Sequence, residues 1–209
     1  MDIGKFVLIL FVIVAVVAVF LVVFRDEDAK ATDKKRRQKN MPAAKAAAKP
    51  LKAARRFAMM QQYEVIAPAR LAKNGTFADI DFIIVGVFGL LCVKCIGLGG
   101  EIYGNAEDAK WLQVLVDKRI PFDNPLQISS VDTRLVRDTL FAAKLKSIPV
   151  ETICVFTNPK ASLAIPHSAG HYTLKEFKAL LGKDKLTIDK KVDIAKASAA
   201  VKAFLAPQA

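Results

Sequence analysis

Residues 77–104, FADIDFIIVGVFGLLCVKCIGLGGEIYG, set two isolated charges, Asp81 and Lys94, among apolar, β-branched and glycine residues. Two strands joined at Val87-Phe88-Gly89 place both charges inside an apolar sheet. Burying a lone charge there costs on the order of several kcal/mol, so each must be paired, bound to a metal or held at a solvent-lined edge. Phosphodiester hydrolysis in such a place needs carboxylates to hold a divalent cation that activates water, with a lysine to position the nucleophile. Asp81 alone is a poor magnesium site, and an ammonium beside it repels the ion. The expectation is therefore that Lys94 pairs with Asp81 and takes the electrostatic place of a metal. A rearranged centre would use Lys94 as a displaced catalytic lysine, with Glu64 or Glu101 supplying a carboxylate.

Two other groupings have spacings found in zinc sites: Cys92 and Cys95 as a CxxC, and His167 and His171 as an HxxxH. On a strand, however, residues three apart face opposite sides, and the two pairs lie far apart in the chain. A thioredoxin-like role fails because that motif opens a helix. With Cys154 the cysteines number three, which argues against a disulfide framework and fits buried thiols in a reducing compartment. His167 and His171 read as loop residues without the oriented partner that acid–base catalysis requires. GLGG at residues 97–100 is too short for a nucleotide loop, and Trp111 reads as a core anchor.

The elements that must position these residues follow from periodicity. Residues 63–71, 77–87 and 89–98 read as strands, with a turn at Asn74-Gly75 between the first two. A strand over 111–117 continues through a turn to Ile120. Residues 126–146 have helical spacing in Leu126, Val131, Leu135, Val136, Leu140 and Leu145, and should cover one face of the sheet. Residues 151–157 and 162–165 read as strands, 173–181 as a helix capped by Thr173, and 187–205 as a last amphipathic helix packed on the domain. Strands, helix, strand, helix gives an α+β (mixed α/β) fold, a mixed β-sheet flanked by helices.

Around the two charges the chain resembles the nuclease-related domain (NERD) family of the PD-(D/E)xK nuclease-like superfamily. The resemblance runs from about residue 63 to 181 and rests on IDFIIVGVFGLLCVK at 80–94, GGEIYG at 99–104, Trp111 and NPLQ at 124–127. Asp81, Gly89, Gly100, Gly104, Trp111, Asn124, Pro125 and Gln127 match the family pattern. It implies a restriction-endonuclease-like core. The Glu of the family's Glu-x-Lys falls on Lys94 and its Lys on Ile96, and an upstream Gly-Glu pair is missing from LKAARRFAMMQQ. The implied site is a degenerate one at Asp81, Lys94, Ile96 and Gln127, with no catalytic residue, cofactor or metal expected. The alternative is a metal-dependent nuclease with a rearranged active site, which would need Mg2+.

Hydropathy and charge place this domain. Residues 6–24, FVLILFVIVAVVAVFLVVF, contain no polar side chain and as a helix extend about 28 Å, the thickness of a bilayer core. They read as one N-terminal transmembrane helix, since a cleaved signal peptide would have a shorter apolar region followed by a small-x-small site. Residues 25–56 carry twelve Lys/Arg against four acidic residues, a net +8 out of the chain's +12. Basic flanks stay cytoplasmic, so the N-terminus should lie outside and the domain inside. The domain plan is an anchor at 1–24, a basic and partly helical linker at 25–56 whose helix Pro50 interrupts, a NERD-like domain at 57–182 and a C-terminal helix at 183–209. Partners compatible with this plan are the lipid bilayer, anionic lipid headgroups on the linker, nucleic acid or a protein, with the oligomeric state open. The expected function is binding or scaffolding at the membrane by a pseudoenzyme.

Overall fold

A computed structural model of the protein describes residues 39–206. In chain order these form α1 (Ala43–Gln61), β1 (Glu64–Ile66), β2 (Ala69–Lys73), β3 (Thr76–Ile80), β4 (Phe82–Gly86), β5 (Gly89–Ile96), β6 (Gly100–Tyr103), β7 (Lys110–Val114), β8 (Arg119–Asp123), α2 (Pro125–Ala142), β9 (Val150–Phe156), β10 (Ala161–Ala164), β11 (His171–Thr173), α3 (Leu174–Leu181) and α4 (Ile194–Lys202). The architecture is mixed α+β. A five-stranded sheet runs β1-β4-β5-β9-β11, antiparallel as far as β5 and parallel beyond it. A four-stranded sheet, β10-β6-β7-β8, and the hairpin β2-β3 stand beside it. The anchor assigned to residues 6–24 and the first part of the linker lie outside the described residues; among those described, no helix is long and apolar enough to cross a membrane.

β4 is buried at every position and β5 at most, as expected for central strands covered on both faces. One face of the sheet meets α2, α4 and the β2-β3 hairpin through Ile83, Val85, Leu90, Cys92, Leu135, Val136 and Val201. The other meets α1 and α3 through Phe82, Ile84, Leu91, Val93, Ile153 and Phe177. A smaller core gathers around Trp111, Ile102, Phe156 and Ile165 where the two sheets adjoin. Trp111 is fully buried, and a side chain on Gly104 would stand 2.4 Å from its ring, which explains why that position is glycine.

Several expectations are corrected. The first two expected strands are four: the first divides at Ala67-Pro68, where proline supplies no N–H to a ladder, and the second divides at Asp81. The helix does not break at Pro50, which is buried against the sheet inside a continuous α1. Residues 43–56, spacer-like in composition, bury Ala46 and Ala54 in the second core, because alanines at this spacing let a helix approach a sheet closely. α2 ends at Ala142 and buries Ser129, Asp132 and Thr139 beside Leu135, Val136 and Leu140, while Val131 faces out. The last helix is shorter than expected, starting only after Asp193, whose side chain caps it at Lys196 N.

Gly89 turns the chain between β4 and β5 at φ 121°, and a Cβ there would lie 2.3 Å from the Pro149 carbonyl. That carbonyl also accepts Leu90 N–H at 2.9 Å, so it cannot retreat freely. Gly89→Ala is expected to cost about 2–5 kcal/mol, combining left-handed strain with overpacking. Urea unfolding followed by the fluorescence of Trp111, the single tryptophan, measures it.

Candidate functional site

Asp81 stands where β3 leaves the line of β4. Its N–H still donates to Val93 O at 3.1 Å, but the residue that would continue the ladder opposite Cys95 has turned away to pair with β2. The Asp81 carboxylate fills that gap and accepts Cys95 N–H at 2.6 Å. An interior N–H left unpaired costs about 1–3 kcal/mol, so this carboxylate has a structural task. Burial pushes its pKa up, against the Cys95 hydrogen bond and the nearby Lys94 charge, which favour the ionised form.

Lys94 does not take the partner expected of it. Its ion pair is with Asp79, Nζ to Oδ2 3.1 Å, and it also donates a short hydrogen bond to the Asp79 carbonyl. The bend at Asp81 is the reason, because it carries β3 across β5 and presents the backbone of Asp79 to the ammonium. With side chains 27% and 78% exposed, the pair is worth about 0–1 kcal/mol by itself. The Lys94 charge also acts on Asp81, Cys154 and Asp132. Asp132, on the inner face of α2 and 5% exposed, escaped sequence reasoning, as did Asp79. The available signal was polar spacing: Ser129, Asp132 and Thr133 fall on the stripe that Val136 continues. These residues make a polar seam with β9, Ser129 Oγ lying 3.0 Å from Cys154 Sγ and Thr133 donating to Thr152.

The other positions do not converge on this centre. Ile96 packs in the core around Trp111 and walls one side of it. Gln127 is exposed and donates to the carbonyls of Glu107 and Asp108, both at 3.3 Å. Asn124 caps α2 at Leu126 N and holds the same loop through Asp108 O at 2.8 Å, so the Asn-Pro-Leu-Gln run is a structural clamp. Glu64 pairs with Lys202, and Glu101 accepts from the Tyr103 hydroxyl at 2.7 Å, each away from Lys94. Cys92 and Cys95 face opposite cores. Burial pushes Cys92 to about 12 and Cys154 to about 11, so neither is a ready nucleophile.

The nuclease-related domain model matches residues 39–157, more than half of the 209-residue chain. The chain belongs to that family. No curated protein and no solved structure matches it. The match begins at residue 39, close to where α1 starts, and α1 packs as part of this NERD domain.

The metal such nuclease-like sites employ does not fit these residues. Asp81 Oδ2 already accepts Cys95 N–H, the Lys94 ammonium close by repels a cation, and Ile96 offers no donor. Among the described residues, no group of three or more His, Cys, Asp or Glu side chains is placed to hold a metal ion.

Two outcomes test this arrangement. Asp81→Ala should lower stability by about 1–3 kcal/mol by orphaning Cys95 N–H, and amide exchange at Cys95 should accelerate. Burial raises the Asp132 carboxyl above the ordinary aspartate range. For an acid with a raised folded value, the stability it contributes is complete below the unfolded pKa and is lost as pH rises through the folded one. Asp132→Asn should therefore gain stability relative to the parent as pH rises across and above the aspartate range, as read by thermal unfolding at a series of pH values.

Proposed function

We propose that this protein is a single-pass membrane protein whose restriction-endonuclease-like NERD domain no longer hydrolyses phosphodiesters and serves as a binding or scaffolding module at the cytoplasmic face. The observation that carries the reading is the Lys94 ammonium among Asp79, Asp81 and Asp132, where hydrolysis would require a divalent cation. The partner class follows from charge. The outer face of α1 exposes Lys45, Lys49, Lys52, Arg55 and Arg56, and α1 carries no acidic residue. Together with the preceding linker it favours a phosphate-rich surface, nucleic acid or anionic headgroups.

The apolar run at 6–24 and the basic residues after it support the membrane placement and its orientation. Detergent-solubilised full-length protein should bind duplex DNA or anionic vesicles with a steep salt dependence, and should leave supercoiled plasmid intact in magnesium or manganese. Metal-dependent nicking that disappears in Lys94→Ala would establish the rearranged nuclease in its place.

A further inference from the structure

We propose that the cavity beyond the carboxyl ends of β9 and β11 binds a small organic phosphate with an apolar or aromatic body. The cavity measures about 650 Å³, within the range of small-molecule sites. Its position favours a ligand, because parallel strands ending side by side open a crevice at their carboxyl ends. Here β9 ends at Phe156, β11 ends at Thr173, and α3 begins at Leu174 on the cavity wall.

The lining divides into two kinds of surface. Phe156, Leu163, Ile165 and Leu174 give an apolar wall. Lys49 from α1 and Lys175 and Lys178 from α3 bring three ammonium groups, and His167 and His171 bring two imidazoles. Among the described residues, no carboxylate lines the cavity. The nearest acid in the sequence of α3, Glu176, caps that helix, its Oε2 accepting Thr173 N–H at 2.7 Å and the Thr173 hydroxyl at 2.8 Å, while its Oε1 lies 3.7 Å from His167 Nδ1 and so offsets the imidazoles rather than the lysines. The three lysines, drawn from two helices, repel one another, and a multiply charged anion relieves that repulsion.

A separate observation points the same way. His171 is 6% exposed and its Nδ1 has no hydrogen-bond partner in the protein. Its ring is fixed on both sides, stacked on His167 with centroids 5.8 Å apart and edge-on to Phe156 at 5.9 Å. A ligand oxygen that displaced the contacts now covering Nδ1 would supply the partner this rigidly held imidazole lacks. Phe156 in turn stacks on Trp111, so the wall is backed by the core around that residue. The apolar half of the cavity selects against a bare inorganic anion, which would leave it wet and empty. Its location also differs from that of Asp81 and Lys94, neither of which lines it.

Isothermal titration of the detergent-solubilised full-length protein with adenosine monophosphate, adenosine and inorganic phosphate separates the outcomes. Adenosine monophosphate should bind, with adenosine and phosphate each at least about tenfold weaker. Lys175→Ala combined with Lys178→Ala, both exposed and remote from the core, should weaken it by about tenfold or more, while Lys94→Met should leave it unchanged. Three results overturn the proposal: no binding of adenosine monophosphate at millimolar concentration, phosphate alone binding as tightly, or binding indifferent to the paired lysine substitutions. Because Lys94→Met alters only the nuclease-derived centre, failure here and failure of the non-hydrolytic reading are distinguishable.

Discussion

The bend at Asp81 is the constraint on which the rest of the candidate centre depends. By turning β3 out of the large sheet, it opens a gap opposite Cys95 that only a side-chain acceptor can fill, and Asp81 fills it. The same bend brings Asp79 over β5, so the ammonium of Lys94 finds its partner there. The Asp81 carboxylate thereby serves as a backbone acceptor, with the Lys94 ammonium near enough to act on it. Asp132 completes the group from α2, where burial raises its pKa and Lys94 opposes that rise.

A second set of contacts ties the start of the described chain to this framework. Met41 N–H donates to Gly97 O at 2.7 Å, and Asn40 Oδ1 accepts Gly99 N–H at 2.9 Å and the buried Gln113 amide at 2.6 Å. Asn158 donates to Lys39 O at 3.1 Å. These bonds seat the chain at the end of β5 before α1 crosses the sheet. The basic outer face of α1 is thus fixed relative to the fold by its buried alanines, rather than swinging on a tether. A charged surface held in one orientation presents a defined patch to a phosphate-rich partner, which a solvated linker cannot do.

The two faces of the large sheet are chemically unlike. Toward α2 the contact is partly polar, with Ser129, Thr133, Thr152 and Cys154 bonded across it. Toward α1 and α3 it is apolar, with Phe82 edge-on to Phe177 at 6.2 Å. Such a polar seam under a helix is costly unless its members are paired, and Ser129 with Cys154 and Thr133 with Thr152 are paired across it. The cavity at the ends of β9 and β11 lies where α1 and α3 meet the third core, which Trp111 organises.

Composition, periodicity and motif spacing determined the α+β class, the family, the central hairpin, the helix behind Asn124 and the opposite facing of Cys92 and Cys95, because each rests on local pattern: alternation, capping and turn chemistry. Trp111 as a core anchor was expected from the sequence as well, and the structure buries it. What local pattern could not carry was the partner of Lys94. Asp79 and Asp81 are the same residue type two positions apart, and only the departure of β3 from the sheet decides which of them meets the ammonium and which meets Cys95 N–H. Asp132, the packing of α1 across Pro50 and the enclosure of His171 in a cationic cavity were hidden likewise. Each arises from residues distant in sequence, brought together by the stacking of helices on a sheet whose order, β1-β4-β5-β9-β11, is not the order of the chain.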